Sequence, residues 1–357
     1  MKRKTKRLWQ IVSIGFCSVS AVLIGAMLSF YILIAAGASP ELQSVWVCTA
    51  MTTMSHKYLA TMFIPEERIN EIMDENRVDD SAHDSIILNF NKEETEEETA
   101  GISEEETALP EPEPTYEDEG YTLLEDGIYV KEVSGSTWKG YVMLVENPMR
   151  VKLVDSSKQY SCGEKVMTMV ANSGAVAGIN GGGFQDGVNY DSNGGMPAGM
   201  LIEDGELIYP YVSDNSTVYN MIGINKNGAL VLRHCTTAWA LSNDIVSAVS
   251  FWPFLVVNGE GMITNGTGGW GIAPRTAIGQ RESGEFLFLV IDGRQVDWSI
   301  GCDLDVLQEV MLAEGAYNAA MLDGGSSTAM VYKDTYINKP SLGHERWINN
   351  AFVVMPE

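Results

Sequence analysis

Apolar and polar positions divide the chain into four stretches. Residues 8–40 carry no charge, and the apolar centre of that run, 11–38, exceeds the roughly 20 residues that cross a hydrocarbon core. A transmembrane helix is predicted there. In residues 41–90, Met51, Met54, Tyr58, Leu59, Met62 and Phe63 recur at spacings of three and four, and Pro65-Glu66-Glu67 opens a second helical pattern that continues through Ile69, Ile72 and Met73. That stretch reads as a helical juxtamembrane stalk. Residues 91–119 hold almost no apolar side chain, carry a dense run of Glu, and place Pro at alternate positions near the end, which predicts an extended, disordered spacer.

Residues 120–357 change character again, to short β-rich runs punctuated by Gly, Asn and Asp. Val142-Met-Leu-Val145 and Val151-Lys-Leu-Val154 flank Asn147-Pro148, a strand–turn–strand signal. Glu203-Asp204-Gly205-Glu206 and Asn225-Lys226-Asn227-Gly228 read as tight hairpin turns. Helical patterns are few: 165–172, closed by Gly174, and a run through Leu304, Leu307, Val310, Met311 and Glu314 with Asp303 as N-cap and Gly315 as C-cap. Strand follows strand more often than helix does, so the expected class is α+β: a mixed, largely antiparallel twisted sheet core with a few helices, preceded by a transmembrane helix and a disordered linker.

Charge sharpens this division. The net charge is −25 over 357 residues. Residues 1–40 contribute five Lys/Arg and no acid, which holds the N-terminal end of the apolar run in the cytoplasm and places the rest outside. A cleaved signal peptide ending at Ala36-Gly37-Ala38 is the rival, but its apolar region would be about twice the usual length. Residues 91–119 have 13 acidic groups against one Lys, and 120–357 have 26 against 14 basic. No domain-wide basic surface exists to displace counterions from nucleic acid, which excludes that partner class. Cys162, Cys235 and Cys302, an odd set in 120–357, are expected as free thiols.

Four apolar runs end in a polar residue followed by Gly: Ala177-Gly-Ile-Asn180-Gly181, Leu255-Val-Val-Asn258-Gly259, Leu289-Val-Ile-Asp292-Gly293 and Ala320-Met-Leu-Asp323-Gly324. A polar group at a strand end can join others in a site whose spacing the sheet fixes. Asn180 is followed by Gly181, Gly182, Gly183 and Phe184, and Asp323 by Gly324, Gly325, Ser326, Ser327 and Thr328. These segments can present main-chain N–H groups and hydroxyls to an anion. Arg275, beside Thr276, and Arg294 are scarce cations in an acidic domain, suited to a carboxylate or a phosphate. There is no P-loop, no zinc spacing and no nucleophile elbow, and His is scarce, so acid–base work falls to carboxylates. Asp292 and Asp323 are the best pair, which suits glycoside chemistry.

Ile179-Asn180-Gly-Gly-Gly183-Phe184, Gly194-Gly-Met-Pro-Ala-Gly199, Ala273-Pro-Arg-Thr-Ala-Ile-Gly279, Val290-Ile-Asp-Gly-Arg294 and Leu322-Asp-Gly-Gly-Ser-Ser-Thr328 occur in an order that resembles the phosphodiester glycosidase family, over roughly residues 130–355. The resemblance implies hydrolysis of a sugar-1-phosphodiester at the anomeric carbon, GlcNAc-1-phosphodiester-like, in a cell-envelope or exopolysaccharide glycan. It implies Asp323, Asp292 and Asn180 as catalytic residues. Arg275, Thr276, Gly181, Gly182, Phe184, Arg294, Gly324, Gly325, Ser326, Ser327 and Thr328 would hold substrate and phosphate. A Ca²⁺ or Mg²⁺ beside the phosphate is compatible with these carboxylates, although nothing in the spacing requires one. The expected arrangement is a tail and signal anchor (1–40, with the membrane met by 8–38), a stalk (41–90), a linker (91–119) and an extracytoplasmic glycosidase domain (120–357). A non-catalytic phosphoglycan-binding protein of envelope or exopolysaccharide assembly, and a glycosyl or phosphoryl transferase, are the alternatives.

Overall fold

The computed structural model describes residues 2–53, 56–90, 115–158, 161–186 and 193–357. The expected spacer at 91–119 therefore falls mostly outside the described residues; only its last five belong to them, in a turn closed by the Asp118 carboxylate accepting from Thr115. The chain forms two compact units, residues 1–77 with 265–271, and residues 78–264 with 272–357.

The first unit is helical. It comprises α1 (Lys2–Phe30), a π-helical turn (Tyr31–Ala35), α2 (Pro40–Thr52), α3 (Tyr58–Thr61) and α4 (Glu66–Glu75). Val12–Ala35, 24 residues, is long and apolar enough to cross a membrane; a signal sequence has the same properties. The stalk expected at 41–90 is broken up. The helix stops after Thr52, and Tyr58, Met62 and Phe63 are exposed. The apolar cluster consists of Val47, Cys48, Ala50, Ala60, Ile64, Ile69 and Ile72, with Trp46, Met51, Leu59 and Met73 packed against it, so part of the expected periodic set is buried; Met54 lies outside the described residues. Asn76 closes the unit: its Oδ1 accepts from the Thr267 N–H at 3.1 Å, and its Nδ2 donates to Ser44 Oγ at 2.9 Å. Residues 78–90, assigned to the stalk from the sequence, belong to the second unit.

Among the described residues, the second unit holds every strand. In chain order these are β1 (Thr122–Glu125), β2 (Ile128–Ser134), β3 (Lys139–Val145), β4 (Val151–Asp155), β5 (Ala177–Asn180), β6 (Leu201–Glu203), β7 (Glu206–Tyr209), β8 (Tyr219–Asn225) and β9 (Leu230–Cys235). There follow β10 (Ile245–Ser250), β11 (Phe254–Val257), β12 (Glu260–Gly261), β13 (Arg275–Arg281), β14 (Phe286–Ile291), β15 (Ala316–Met321), β16 (Met330–Tyr332), β17 (Thr335–Tyr336) and β18 (Asn350–Val354). They build three sheets, in the orders β1-β2-β3-β14-β13-β15-β11-β12, β7-β6-β10-β8-β9 and β17-β16-β5-β18-β4. Every ladder between these strands is antiparallel. The fold is α+β with antiparallel sheets.

The central strands are buried on both faces, which explains their unbroken apolar runs: all six residues of β14 are buried. Helix α5 (Val166–Ser173) covers the third sheet, with Val166, Met169 and Val170 packed against Val331, Ala351 and Val353. Helix α7 (Leu304–Ala313) packs on the first sheet, its N-terminus capped by the Asp303 carboxylate accepting from the Val306 N–H at 3.1 Å. A short α6 (Thr237–Ser242), capped by Thr236, carries too few apolar repeats to announce itself in the sequence.

The turns at Asp204-Gly205 and 225–228 join hairpins β6–β7 and β8–β9. The strand–turn–strand signal around Asn147-Pro148 has both strands but not their pairing. A 3₁₀ turn at Pro148–Arg150, capped by the Asn147 side chain, carries the chain from the first sheet into the third, where β4 pairs with β18. Apolar pattern records that a segment is a strand; its partner depends on where the turn sends the chain.

Candidate active site

Strand direction decides which of the four polar strand ends meet. β14 and β15 both run antiparallel to β13, so their C-terminal ends lie beside its start: Arg275 faces Ile291 on one side, and Ala277 faces Met321 on the other. This places Asp292, Arg275 and Asp323 along one edge of the first sheet. β11 runs antiparallel to β15, so Asn258 lies at the opposite edge. There Asn258 (φ 54°) and Gly259 (φ 82°) form the turn of the β11–β12 hairpin. The fourth run is thus a hairpin turn.

Asn180 brings the third sheet to this edge. It is fully buried, and its Nδ2 donates to the Asp323 C=O at 2.6 Å. Its Oδ1 accepts from Thr276 Oγ1 at 2.8 Å and from the Ala329 N–H at 3.1 Å. The Asp323 N–H donates to the Gly181 C=O at 3.1 Å. Asn180 and Thr276 therefore position the Asp323 turn.

The glycine run after Asn180 is required by close approach. A Cβ on Gly182 would lie 2.8 Å from Val249 Cβ, and one on Gly181 would collide with the Asn350 amide. Their N–H groups are already used, Gly181 to the Asn350 C=O at 3.1 Å and Gly182 to Asn350 Oδ1 at 2.8 Å. The turn after Asp323 behaves alike. The N–H of Gly324 donates to Asp323 Oδ1, that of Gly325 to Pro274, that of Ser327 to Gly324 and that of Thr328 to Gly325. The main-chain N–H groups at these six positions are engaged internally, and those of Gly183 and Ser326 are not among them.

Asp323 is pushed up to about 6 by burial, an effect opposed by the nearby Ser327 hydroxyl, Arg346 and the Gly324 N–H, and reinforced by Asp186. The hydroxyls of Ser327 and Thr328 are buried without a well-formed hydrogen bond, and Ser326 is partly exposed beside them. Arg275 is 3% exposed, and its Nε donates to the Cys302 C=O at 3.3 Å. Burial lowers it to about 10, against the pull of the neighbouring Cys302, Asp303 and Asp323, so it is a cation at neutral pH. Arg294, in the left-handed region (φ 62°), turns its guanidinium over Gly325: a Cβ there would sit 3.1 Å from it.

Asp292 is placed differently. It is 1% exposed and both carboxylate oxygens are occupied, Oδ2 by Trp298 Nε1 at 2.8 Å, Oδ1 by Asn338 Nδ2 at 2.9 Å, and both by the Lys339 N–H at 3.0 and 3.1 Å. Burial raises its pKa while these donors lower it. Asn338 also donates to the Thr328 C=O at 3.4 Å, so Asp292 anchors the loop that carries Arg294 next to the Asp323 turn.

Two residues passed over in the sequence join the group. Asp186, three residues after the glycine run, is paired with Arg346 at 2.6 Å and is close enough to Asp323 to raise it. The Arg346 guanidinium also lies 4.5 Å from the centre of the Phe184 ring. The proximity of Asp186 to the Gly-Gly-Gly-Phe motif was the available signal for it; Arg346 had only the scarcity of basic residues. Among the described residues no group of three or more His, Cys, Asp or Glu is arranged to hold a metal ion.

Comparison with known proteins identifies the family and the fold. The phosphodiester glycosidase family model matches residues 173–355. An uncharacterised SPbeta prophage-derived protein of Bacillus subtilis (strain 168) is 26% identical over 239 residues, 63% of this chain and 36% of its own. The Bos taurus N-acetylglucosamine-1-phosphodiester alpha-N-acetylglucosaminidase is 28% identical over 179 residues, 43% of this chain and 33% of its own. The chain thus spans about a third of the length of these curated relatives. The fold is similar to that of the zebrafish N-acetylglucosamine-1-phosphodiester alpha-N-acetylglucosaminidase catalytic domain auto-inhibited by pro-peptide, with a TM-score of 0.52 and 24% identity over 64% of this chain and 82% of that one. The chain belongs to the phosphodiester glycosidase family.

Proposed function

We propose that this protein is a membrane-anchored, extracytoplasmic hydrolase that cleaves a sugar-1-phosphodiester at the anomeric carbon, acting on a GlcNAc-1-phosphodiester-like linkage in a cell-envelope or exopolysaccharide glycan. The observation that carries the reading is the convergence of one half-buried carboxyl with a raised pKa, Asp323, with three guanidinium groups, Arg275, Arg294 and Arg346. The anchor rests on the 24-residue apolar helix and the basic residues before it.

The chemistry follows from the leaving group. A phosphomonoester departs as a stable anion, so C1–O cleavage does not need a strong proton donor. It needs cations where charge develops, and Arg275 and Arg294 supply them. Asp323 then serves, once ionised, as nucleophile toward C1 or as base toward the attacking water. Asp186, held by Arg346, is the second carboxylate, and Phe184 offers an apolar face for the sugar. Asn180, Thr276 and Asp292 act by position. Ser326, Ser327 and Thr328 are the hydroxyl donors left for the phosphate.

Incubation of the full chain with UDP-GlcNAc and with an aryl GlcNAc-1-phosphodiester tests this reading. Release of free sugar with a phosphomonoester is the expected result. Binding without turnover would make the protein a phosphoglycan scaffold, and product formed only with an acceptor would make it a transferase.

A further inference from the structure

The loop after β14 carries a feature that the reaction at Asp323 does not use. The ammonium groups of Lys139 and Lys339 both converge on the Trp298 ring, at 4.2 and 4.3 Å from its centroid. The ring cannot drift, because its N–H is bonded to Asp292. The Lys339 main chain is fixed as well, its N–H on Asp292 and its C=O accepting from Gln295 Nε2 at 3.0 Å. Lys339 is exposed, and the carboxylate within its electrostatic reach is the buried Asp292, whose oxygens are already occupied by Trp298 and Asn338. Lys139 is 38% exposed and meets only the exposed Glu132, at 3.9 Å.

Two ammonium groups on one indole repel each other, and the π-face offsets that only in part. In a domain with 26 acidic and 14 basic residues, such a pair held by buried hydrogen bonds is suited to an anion. The position is continuous with the active site. Asp292 joins Trp298 to Asn338 and thereby to Thr328, while Arg294 on the same loop reaches Gly325.

We propose that Lys139, Trp298 and Lys339 form a second phosphate subsite, and that the substrate is a polymer with a phosphodiester in every repeat. The inference rests on the reading of the Asp323 site as a sugar-1-phosphodiester glycosidase. With the first phosphate at Arg275 and Arg294, the phosphate of the next repeat lies over the two ammonium groups.

Calorimetric titration of the full chain carrying Asp323→Asn, with synthetic oligomers of one and of two sugar-1-phosphodiester repeats, tests the subsite. The two-repeat ligand should bind about tenfold tighter, the gain of one added charge-assisted contact pair, and the advantage should shrink with salt. Adding Lys139→Gln and Lys339→Gln should remove the advantage and leave one-repeat affinity unchanged; Lys139→Arg with Lys339→Arg should restore it. Equal affinity for both oligomers, an equal loss for both in the Gln variant, no binding of either, or equally tight binding of anionic lipid vesicles would overturn the proposal. Failure of the catalytic reading registers separately, as a wild-type chain that binds the oligomers without releasing sugar, and the two-repeat preference would survive that result.

Discussion

The Asn180 side chain and the Asp323 main chain fasten two sheets together: Asn180 Nδ2 donates to the Asp323 C=O at 2.6 Å while the Asp323 N–H donates to the Gly181 C=O at 3.1 Å. Asn180→Ala would strand Thr276 Oγ1, the Ala329 N–H and the Asp323 C=O in a buried setting. Each such group costs about 1–3 kcal/mol, tempered by relaxation, so a loss of about 3 kcal/mol is expected. Denaturant midpoints measure it. Sugar release should fall well beyond what the unfolded fraction accounts for, since the Asp323 turn loses its tether.

Asp323 sets the pH dependence. As nucleophile or base it must be ionised, and its pKa stands at about 6. The kcat/KM for a sugar-1-phosphodiester should rise about tenfold per pH unit below 6 and level off above it. A profile that falls above pH 6 would assign Asp323 as the general acid instead.

The same burial makes Asp323 a cost to the fold. Below about pH 4 the group is protonated in folded and unfolded chains alike and carries no penalty. Between there and 6 only the unfolded chain ionises, and above 6 the whole penalty is present. Asp323→Asn should therefore abolish activity yet stabilise the domain at pH 7.5, by roughly 2–3 kcal/mol at most, with the gain vanishing near pH 4. Melting curves at the two pH values decide it; a variant less stable at both would contradict the burial argument.

Asp292 should behave as a positioning group. Asp292→Ala leaves Trp298 Nε1, Asn338 Nδ2 and the Lys339 N–H without their acceptor, a loss of about 3–4 kcal/mol. The residual activity should keep the pH inflection of the wild type. Loss of that inflection would return Asp292 to the catalytic pair.

None of the five cysteines is joined in a disulfide, and burial pushes the Cys302 thiol well above its ordinary range and Cys235 up to about 12. Reductant should leave the melting temperature unchanged, and alkylation of Cys235 and Cys302, read by mass spectrometry, should require denaturant.

Much of the molecule is legible along the chain. The uncharged run at 8–40, the cap at Asp303, and the hairpin turns at 204–205 and 225–228 are local features, because each depends on residues close together in the chain. The polar ends at Asn180, Asp292 and Asp323 are visible for the same reason. The choice among them is not local. Asn258 has the same flanking pattern but lies at the other edge of the sheet, since β11 runs opposite to β15.

The sequence by itself determined which residues end buried strands and that Arg275 and Arg294 stand among them. Tertiary structure decided which groups remain available for chemistry. Asp292 is saturated by donors from Trp298, Asn338 and Lys339, and the N–H groups of Gly181, Gly182, Gly324 and Gly325 are spent on Asn350, Asp323 and Pro274. Asp186 and Arg346, 160 residues apart, are paired within electrostatic reach of Asp323. Hydrogen-bonding capacity is finite, and most of the donors and acceptors that exhaust it come from distant parts of the chain, so the free valences of a site are a property of the fold.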